Sequence, residues 1–354
     1  MSEHPALPGG TLCAPWVHPF LGNLPSRLVM TAMTRSKAGP GHVATPQMAA
    51  YYARRAEEGV GLILTESTAV NALGDGFPDA PRLETAEQAA SWRQVTDAVH
   101  GAGGRIFSQL LHCGRISHPD YTDGRQPVSS TGVAASGVNR RNGKSYPAPR
   151  MLSTGEIDDI IHQFLRAAAA ALESGFDGIE LHLAHGYLAD QFLDGRINDR
   201  TDRYGGTVEN RCRFALELVE AAIRECGAPH VMVRVSPSRW MGGLYDWPDL
   251  EPMLDYLIPS LDATGLRQLD ISCARADYDE TSGRVVRMVR PLWPHLLTAG
   301  ASLQLAQAQA EVESGLLDMV TYGRFLIANP DLVDRFVSGR PLEPYDVTML
   351  ETLE

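Results

Sequence analysis

The chain has 354 residues, 44% hydrophobic and 21% charged, with a mean hydropathy of -0.16, a composition that supplies a large apolar core and excludes a disordered chain. A formal net charge of -12, with no basic run or basic amphipathic helix against it, argues for small-molecule partners and against nucleic acid or an anionic membrane surface. Cys13, Cys113, Cys212, Cys226 and Cys273 form no C-x-x-C pair, residues 1–10 carry no basic-then-apolar leader, and the longest apolar run, Ala167 to Leu172, cannot span a bilayer, so a cytoplasmic location is expected.

Leu7 to Leu24 mixes Pro, Gly and apolar residues in a pattern that suits an N-terminal hairpin closing a barrel floor. Short apolar or alternating runs then recur with helical patterns between them, the order of a parallel sheet with crossover helices. Eight strands are predicted: Arg27–Met33, Gly61–Thr68, Arg105–His112, Gly178–His185, Val231–Pro237, Leu266–Cys273, His295–Gly300 and Met319–Arg324. Eight βα units close into a (β/α)8 TIM barrel. Length alone also suits two domains, but no linker divides the chain, and one domain over residues 1–354 is expected.

After the third strand comes a long insertion, Gly114 to Arg150, rich in Gly, Pro, Ser and Arg; such a stretch is either functional or disordered. Ser153-Thr154-Gly155-Glu156 then opens a helix as a capping box.

The fourth strand carries the most information. Ile179, Leu181 and Leu183 form one face, Glu180, His182 and Ala184 the other, and His185 to Tyr187 stand where strand becomes loop. Two imidazoles and a phenol therefore converge at one strand end. A pair of satisfied turn histidines is the plainer explanation. Position favours chemistry, because the carboxyl ends of barrel strands form a common mouth. Thr34 and Arg35, Glu66 to Thr68, Gln109 and His112, Arg234, and Arg324 end other strands in the same way. Ala299-Gly300-Ala301-Ser302 and Tyr322-Gly323-Arg324 follow the last two strands, where small residues and a guanidinium suit a phosphate. Gly300 and Gly323 also suit ordinary turns. Gly101 to Gly104 precedes a strand and lacks the G-x-G-x-x-G order of a dinucleotide site.

Several segments together resemble the Old Yellow Enzyme family of FMN-dependent ene-reductases. They are Met30-Thr31-Ala32-Met33-Thr34-Arg35, Thr65 to Thr68, Gln109 to Arg115, Glu180 to Tyr187, Asn198 to Gly206, Arg234 to Pro237 and Phe325 to Leu332, so the likeness runs from about residue 27 to residue 340. The resemblance implies a barrel that holds FMN, is reduced by NADPH or NADH, and passes hydride to an activated alkene, as a monomer or homodimer. It implies that Thr34 meets flavin O4, that Ser67 gives a backbone contact, that Gln109 and Arg234 face the N1–C2 edge, and that Ala301, Gly323 and Arg324 hold the phosphate. His182 and His185 would bind the substrate's carbonyl or nitro oxygen, and Tyr187 would supply the proton to the α-carbon.

The sequence departs from the family pattern in places. Ala32 replaces a proline, Leu111 a tryptophan and Phe77 a tyrosine, the last two bearing on substrate shape; Leu111 also suits ordinary core. Residues 345–354 lack the aromatic, glycine-rich tail that often covers the flavin, and the Thr34-Arg35 pair differs from the branch with cysteine near that place. Two rival readings are a metal-dependent hydrolase using His112, His182 and His185, against which the absence of H-E-x-x-H speaks, and a flavin-binding barrel without turnover.

Overall fold

The computed structural model describes residues 9–241, 243–273, 277–300 and 303–354. In chain order the strands are β1 (Trp16–His18), β2 (Gly22–Leu24), β3 (Leu28–Met30), β4 (Leu62–Leu64), β5 (Thr68–Ala69), β6 (Ile106–Leu111), β7 (Val128–Ser129), β8 (Arg150–Met151), β9 (Gly178–Leu183), β10 (Val231–Val235), β11 (Ser238–Trp240), β12 (Leu244–Asp246), β13 (Gln268–Ser272), β14 (Leu296–Gly300) and β15 (Met319–Tyr322). Parallel pairing runs β3–β4–β6–β9–β10–β13–β14–β15 and returns to β3, a closed eight-stranded barrel. Each predicted barrel strand is present, shortened by one to several residues at one end or both.

Alternation sorts the barrel strands into two faces. Ile106, Leu110, Ile179, Leu181, Leu183, Val233 and Ile271 point outward into a large cluster shared with the surrounding helices. Val29, Leu62, Leu64, Phe107, Met232, Leu296 and Met319 fill the barrel floor. The antiparallel β1–β2 hairpin brings Leu21 and Leu24 against them, as the N-terminal pattern predicted. One layer above, the interior residues become polar: Gln109, Glu180, Arg234, Asp270 and Thr298 are all buried.

The helices begin where the chain supplies caps. Ser153 accepts from the Glu156 amide, and Glu156 reaches back to the Ser153 amide at 2.9 Å, opening Thr154–Glu173; Thr85 and Gln88 do the same for Ala86–Gly101. The insertion after β6 is ordered rather than disordered. Its middle, β7, pairs in parallel with β8 at its C-terminal end, and Ser129 and Ser130 tie it to Gln191 at 2.8 and 2.6 Å. The sequence reading missed the β11–β12 hairpin that precedes helix Leu250–Ala263.

Candidate active site

The polar layer is one connected network. Ser67 Oγ donates to Gln109 Oε1, and Gln109 Nε2 donates to Glu180 Oε2 at 2.5 Å. Arg234 Nε lies 3.5 Å from Glu180 Oε1 and donates to Asp270 Oδ2 at 2.5 Å, while Thr298 donates to Asp270 at 2.9 Å. A second Arg234 nitrogen donates to the Thr31 hydroxyl. The register makes this possible: Gln109 stands opposite Glu180, and Arg234 opposite both His182 and Asp270. Burial raises the Glu180 carboxyl well above its ordinary range; Arg234 works against that rise and Asp270 adds to it. Two carboxyls beside one guanidinium thus hold a fixed cation in the dry centre of the barrel.

Above this layer, His182, His185 and Tyr187 meet at the carboxyl end of β9. The His182 ring lies 5.1 Å from that of His185 and 5.0 Å from that of Tyr187, both edge to face. His182 Nδ1 accepts from the Ala184 amide at 3.2 Å, so the proton of the neutral ring sits on Nε2, free to donate to a ligand. Burial, the His185 ring and Arg234 hold His182 well below the usual histidine range, and burial with Arg234 and Arg239 brings His185 down to about 3. Both imidazoles are therefore neutral at physiological pH. Burial pushes Tyr187 up to about 12, with Arg141 opposing, so its phenol keeps its proton.

The loop that presents them is fixed from below. His185 Nε2 lies 2.9 Å from the Ser272 hydroxyl, and the His185 amide donates to Ser236 Oγ at 2.8 Å. Asp190 accepts from the Gly186 amide at 2.6 Å and is itself held by Arg239 at 2.7 Å and Trp247 at 2.8 Å.

The other predicted residues line the same mouth. Phe77 lies 6.5 Å, centroid to centroid, from Tyr187, on a turn organised by Asp75, which accepts from the Phe77 amide and from Arg82 Nε. Leu111 is buried on the same face of β6 as Gln109 and joins neither the helix-side nor the floor cluster. Thr34 follows β3, half-buried, and the next amide, Arg35, donates to Glu66 Oε2 at 3.0 Å. Gly300 is required by close approach, since a Cβ there would run into the Thr321 carbonyl, whereas one on Gly323 would be a tight contact, 3.0 Å from the Thr31 side chain and 3.1 Å from that of Met33. Arg324 stands beside Gly323 with its guanidinium 5.7 Å from the Tyr345 ring, so the C-terminal segment does reach the predicted phosphate corner. Ala301 lies outside the described residues. His112 is apart in its bonding: its Nδ1 accepts from the Gly114 amide, and among the described residues no group of three or more metal-ligating side chains is assembled.

Sequence reasoning did not foresee Asp270, Ser272, Thr31 or Arg141. The alternation of Asp270 and Ser272 with Leu269 and Ile271 was the available signal for the first two.

The barrel and its rim define an enzyme that offers two neutral imidazoles and a proton-bearing phenol above a buried cation. Residues 21–343 match the NADH:flavin oxidoreductase / NADH oxidase family, and the chain belongs to it as an FMN-dependent, NAD(P)H-oxidising oxidoreductase. It is 40% identical to 12-oxophytodienoate reductase 7 of Oryza sativa subsp. japonica over 341 residues, 90% of this chain and 86% of that protein. It is 37% identical to 12-oxophytodienoate reductase 2 of Arabidopsis thaliana over 337 residues, 92% of this chain and 88% of the relative. The old yellow enzyme homologue from Zymomonas mobilis superposes with a TM-score of 0.88 at 32% identity, covering 96% of each chain. Morphinone reductase does so with 0.87 at 34% identity, covering 99% of this chain and 94% of its own. No helix among the described residues is long and apolar enough to cross a membrane.

Proposed function

We propose that this chain, working as one domain, reduces the C=C bond of alkenes conjugated to a carbonyl or nitro group, at the expense of NADPH or NADH. The observation that carries the reading is the meeting of His182, His185 and Tyr187 at one strand end, with the free Nε2 proton of His182 available to a ligand oxygen. The relatives named 12-oxophytodienoate reductases support a conjugated ketone as substrate.

The residues present fit FMN. Ser67, Gln109 and Arg234 form one buried polar layer in the barrel interior, and Arg324, next to Gly323 after the last barrel strand, has no carboxylate within ion-pair distance among the described residues. Thr34, Ser67, Gln109 and Arg234 would hold the ring system, and Gly323 and Arg324 the phosphate. FMN bound there supplies the hydride. His182 and His185 bind the substrate oxygen and stabilise the negative charge that grows on it; loss of one such donor typically costs about 10²–10³ in rate. Tyr187 delivers its proton to the α-carbon. The buried Arg234 is a preorganised cation for the charge that follows reduction.

The test is the visible spectrum of the purified protein. The flavin bands should bleach with NADPH under anaerobic conditions and return on addition of cyclohexenone. Bleaching without recovery refutes the alkene assignment.

A further inference from the structure

The turn at residues 139–144, within the long insertion, places a cation over the mouth. The Asn139 amide donates to the Lys144 carbonyl at 2.8 Å, and Asn139 Oδ1 accepts from the Arg141 amide at 3.0 Å, which fixes the turn. Asp120 binds Asn142 at 2.9 Å and Lys144 at 2.7 Å on one side. Arg141 points the other way. Its guanidinium carbon lies 3.3 Å from the centroid of the Phe77 ring, which itself lies 6.5 Å from the ring of Tyr187, and its charge opposes the upward shift of the Tyr187 phenol.

The neighbouring acids are already engaged. Asp120 is taken by Lys144, and Asp75 by Arg82 at 2.9 Å with His42 at 3.7 Å. Tyr121, Tyr146 and Cys113 also lie around Arg141, each with its acidity lowered by burial and therefore neutral at physiological pH. Arg140 adds a second positive charge. Among the described residues no carboxylate lies within ion-pair distance of Arg141. A half-buried guanidinium in a chain of net charge -12 thus stands on the Phe77 ring with no carboxylate partner among the described residues.

The geometry points to Arg141 as an anion subsite of the alkene pocket, selecting conjugated ketones that carry a carboxylate on a short substituent of the α-carbon. The side of the pocket follows from Tyr187: Arg141 stands on Phe77 on the Tyr187 side of the mouth, and Tyr187 is the group that delivers a proton to the α-carbon, so an anion held there hangs from that carbon. A salt bridge to a planar carboxylate would supply the partner the chain itself does not provide. This inference rests on the ene-reductase reading above.

The test compares 2-(carboxymethyl)cyclohex-2-enone with its methyl ester, using the FMN-loaded enzyme and its Arg141→Met and Arg141→Lys variants. The parent should favour the acid in kcat/KM by about tenfold to a hundredfold, the range of a charge-assisted hydrogen bond. Arg141→Met should abolish that ratio, and Arg141→Lys should keep part of it. Because each protein serves as its own reference, a general loss of activity leaves the ratio unaffected. An acid-to-ester ratio of one or less in the parent, or the same ratio in Arg141→Met, overturns the proposal. A second arm compares flavin reduction by NADPH and by N-benzyl-dihydronicotinamide, which has no phosphate. If Arg141→Met slows only the NADPH reaction and keeps the acid-to-ester ratio, the anion is a phosphate of the hydride donor and the substrate assignment is wrong. Failure of acid, ester and cyclohexenone alike refutes the ene-reductase reading rather than the role of Arg141.

Discussion

His185 meets the ring of His182 at 5.1 Å from a backbone position with φ of 59°, a left-handed conformation that most side chains avoid. The second imidazole can turn back beside the first only because the chain reverses at that residue. Asn adopts this region readily, whereas a β-branched residue pays roughly 1–2 kcal/mol for it. His185→Asn should therefore unfold in denaturant close to the parent midpoint, and His185→Val should be the less stable by about that amount. Equal midpoints for the two variants would show that the backbone there is not constraining.

Tyr187→Phe removes the proposed proton donor and leaves the ring packing against His182 in place. Oxidation by enones should slow by about 10²–10⁴, while flavin reduction by NADPH stays nearly intact. Rapid mixing of each half-reaction separates the two, and equal slowing of both would contradict the role given to the phenol.

Removing the cation from the barrel centre leaves Glu180 and Asp270 facing each other without it. Arg234→Met should cost about 3–5 kcal/mol of stability, the usual penalty for stranding buried charge, and should weaken FMN retention. Arg234→Lys should lose less of both. Equilibrium unfolding and the flavin content after dialysis measure these effects.

Leu111→Trp places an indole on the face of β6 that carries Gln109. It should lower kcat/KM for bulky cyclic enones far more than for cyclohexenone, because a steric clash with substrate depends on size. A uniform loss at equal flavin content would assign Leu111 to ordinary core.

Burial raises the Glu66 carboxyl from 4.5 to about 7, against the Arg35 and Ser36 amides that donate to it. The folded state therefore holds that proton more tightly than the unfolded chain, so its contribution is full below pH 4.5 and is lost as pH rises through 7. His112 and His185, both brought down to about 3 by burial, act in the opposite sense: their contributions are full above 6.5 and are lost as pH falls towards 3. Glu66→Gln should lose less stability than the parent between pH 4.5 and 7 in parallel denaturation series. An unchanged pH profile would mean that Glu66 is ionised in the folded protein.

The strands and the His182–Tyr187 cluster were legible because each is a local pattern. Ile179, Leu181 and Leu183 alternate with Glu180 and His182, and that alternation survives folding unchanged. Partnerships across the barrel were not legible. Arg234 was identified as a cation, but its neutralisation by Asp270 depends on the β10–β13 register, which no local window contains. The β11–β12 hairpin escaped notice because its strands have three residues each, too few to establish a period. Arg141 was hidden for another reason: nothing in Arg140-Arg141-Asn142 distinguishes a solvated turn from one whose arginine faces inward, and the difference lies in its contact with Phe77, far away in sequence.

Arg35, one residue beyond Thr34, donates to the backbone carbonyls of Met349, at 2.8 Å, and of Thr352. What it grips is main chain, which every amino acid presents alike. The clasp between the barrel rim and the C-terminal segment is thus indifferent to spelling: side chains at 349 and 352 are free to change so long as the path of the chain is kept, and a tail without glycine, with Tyr345 as its one aromatic residue, is moored at the rim all the same.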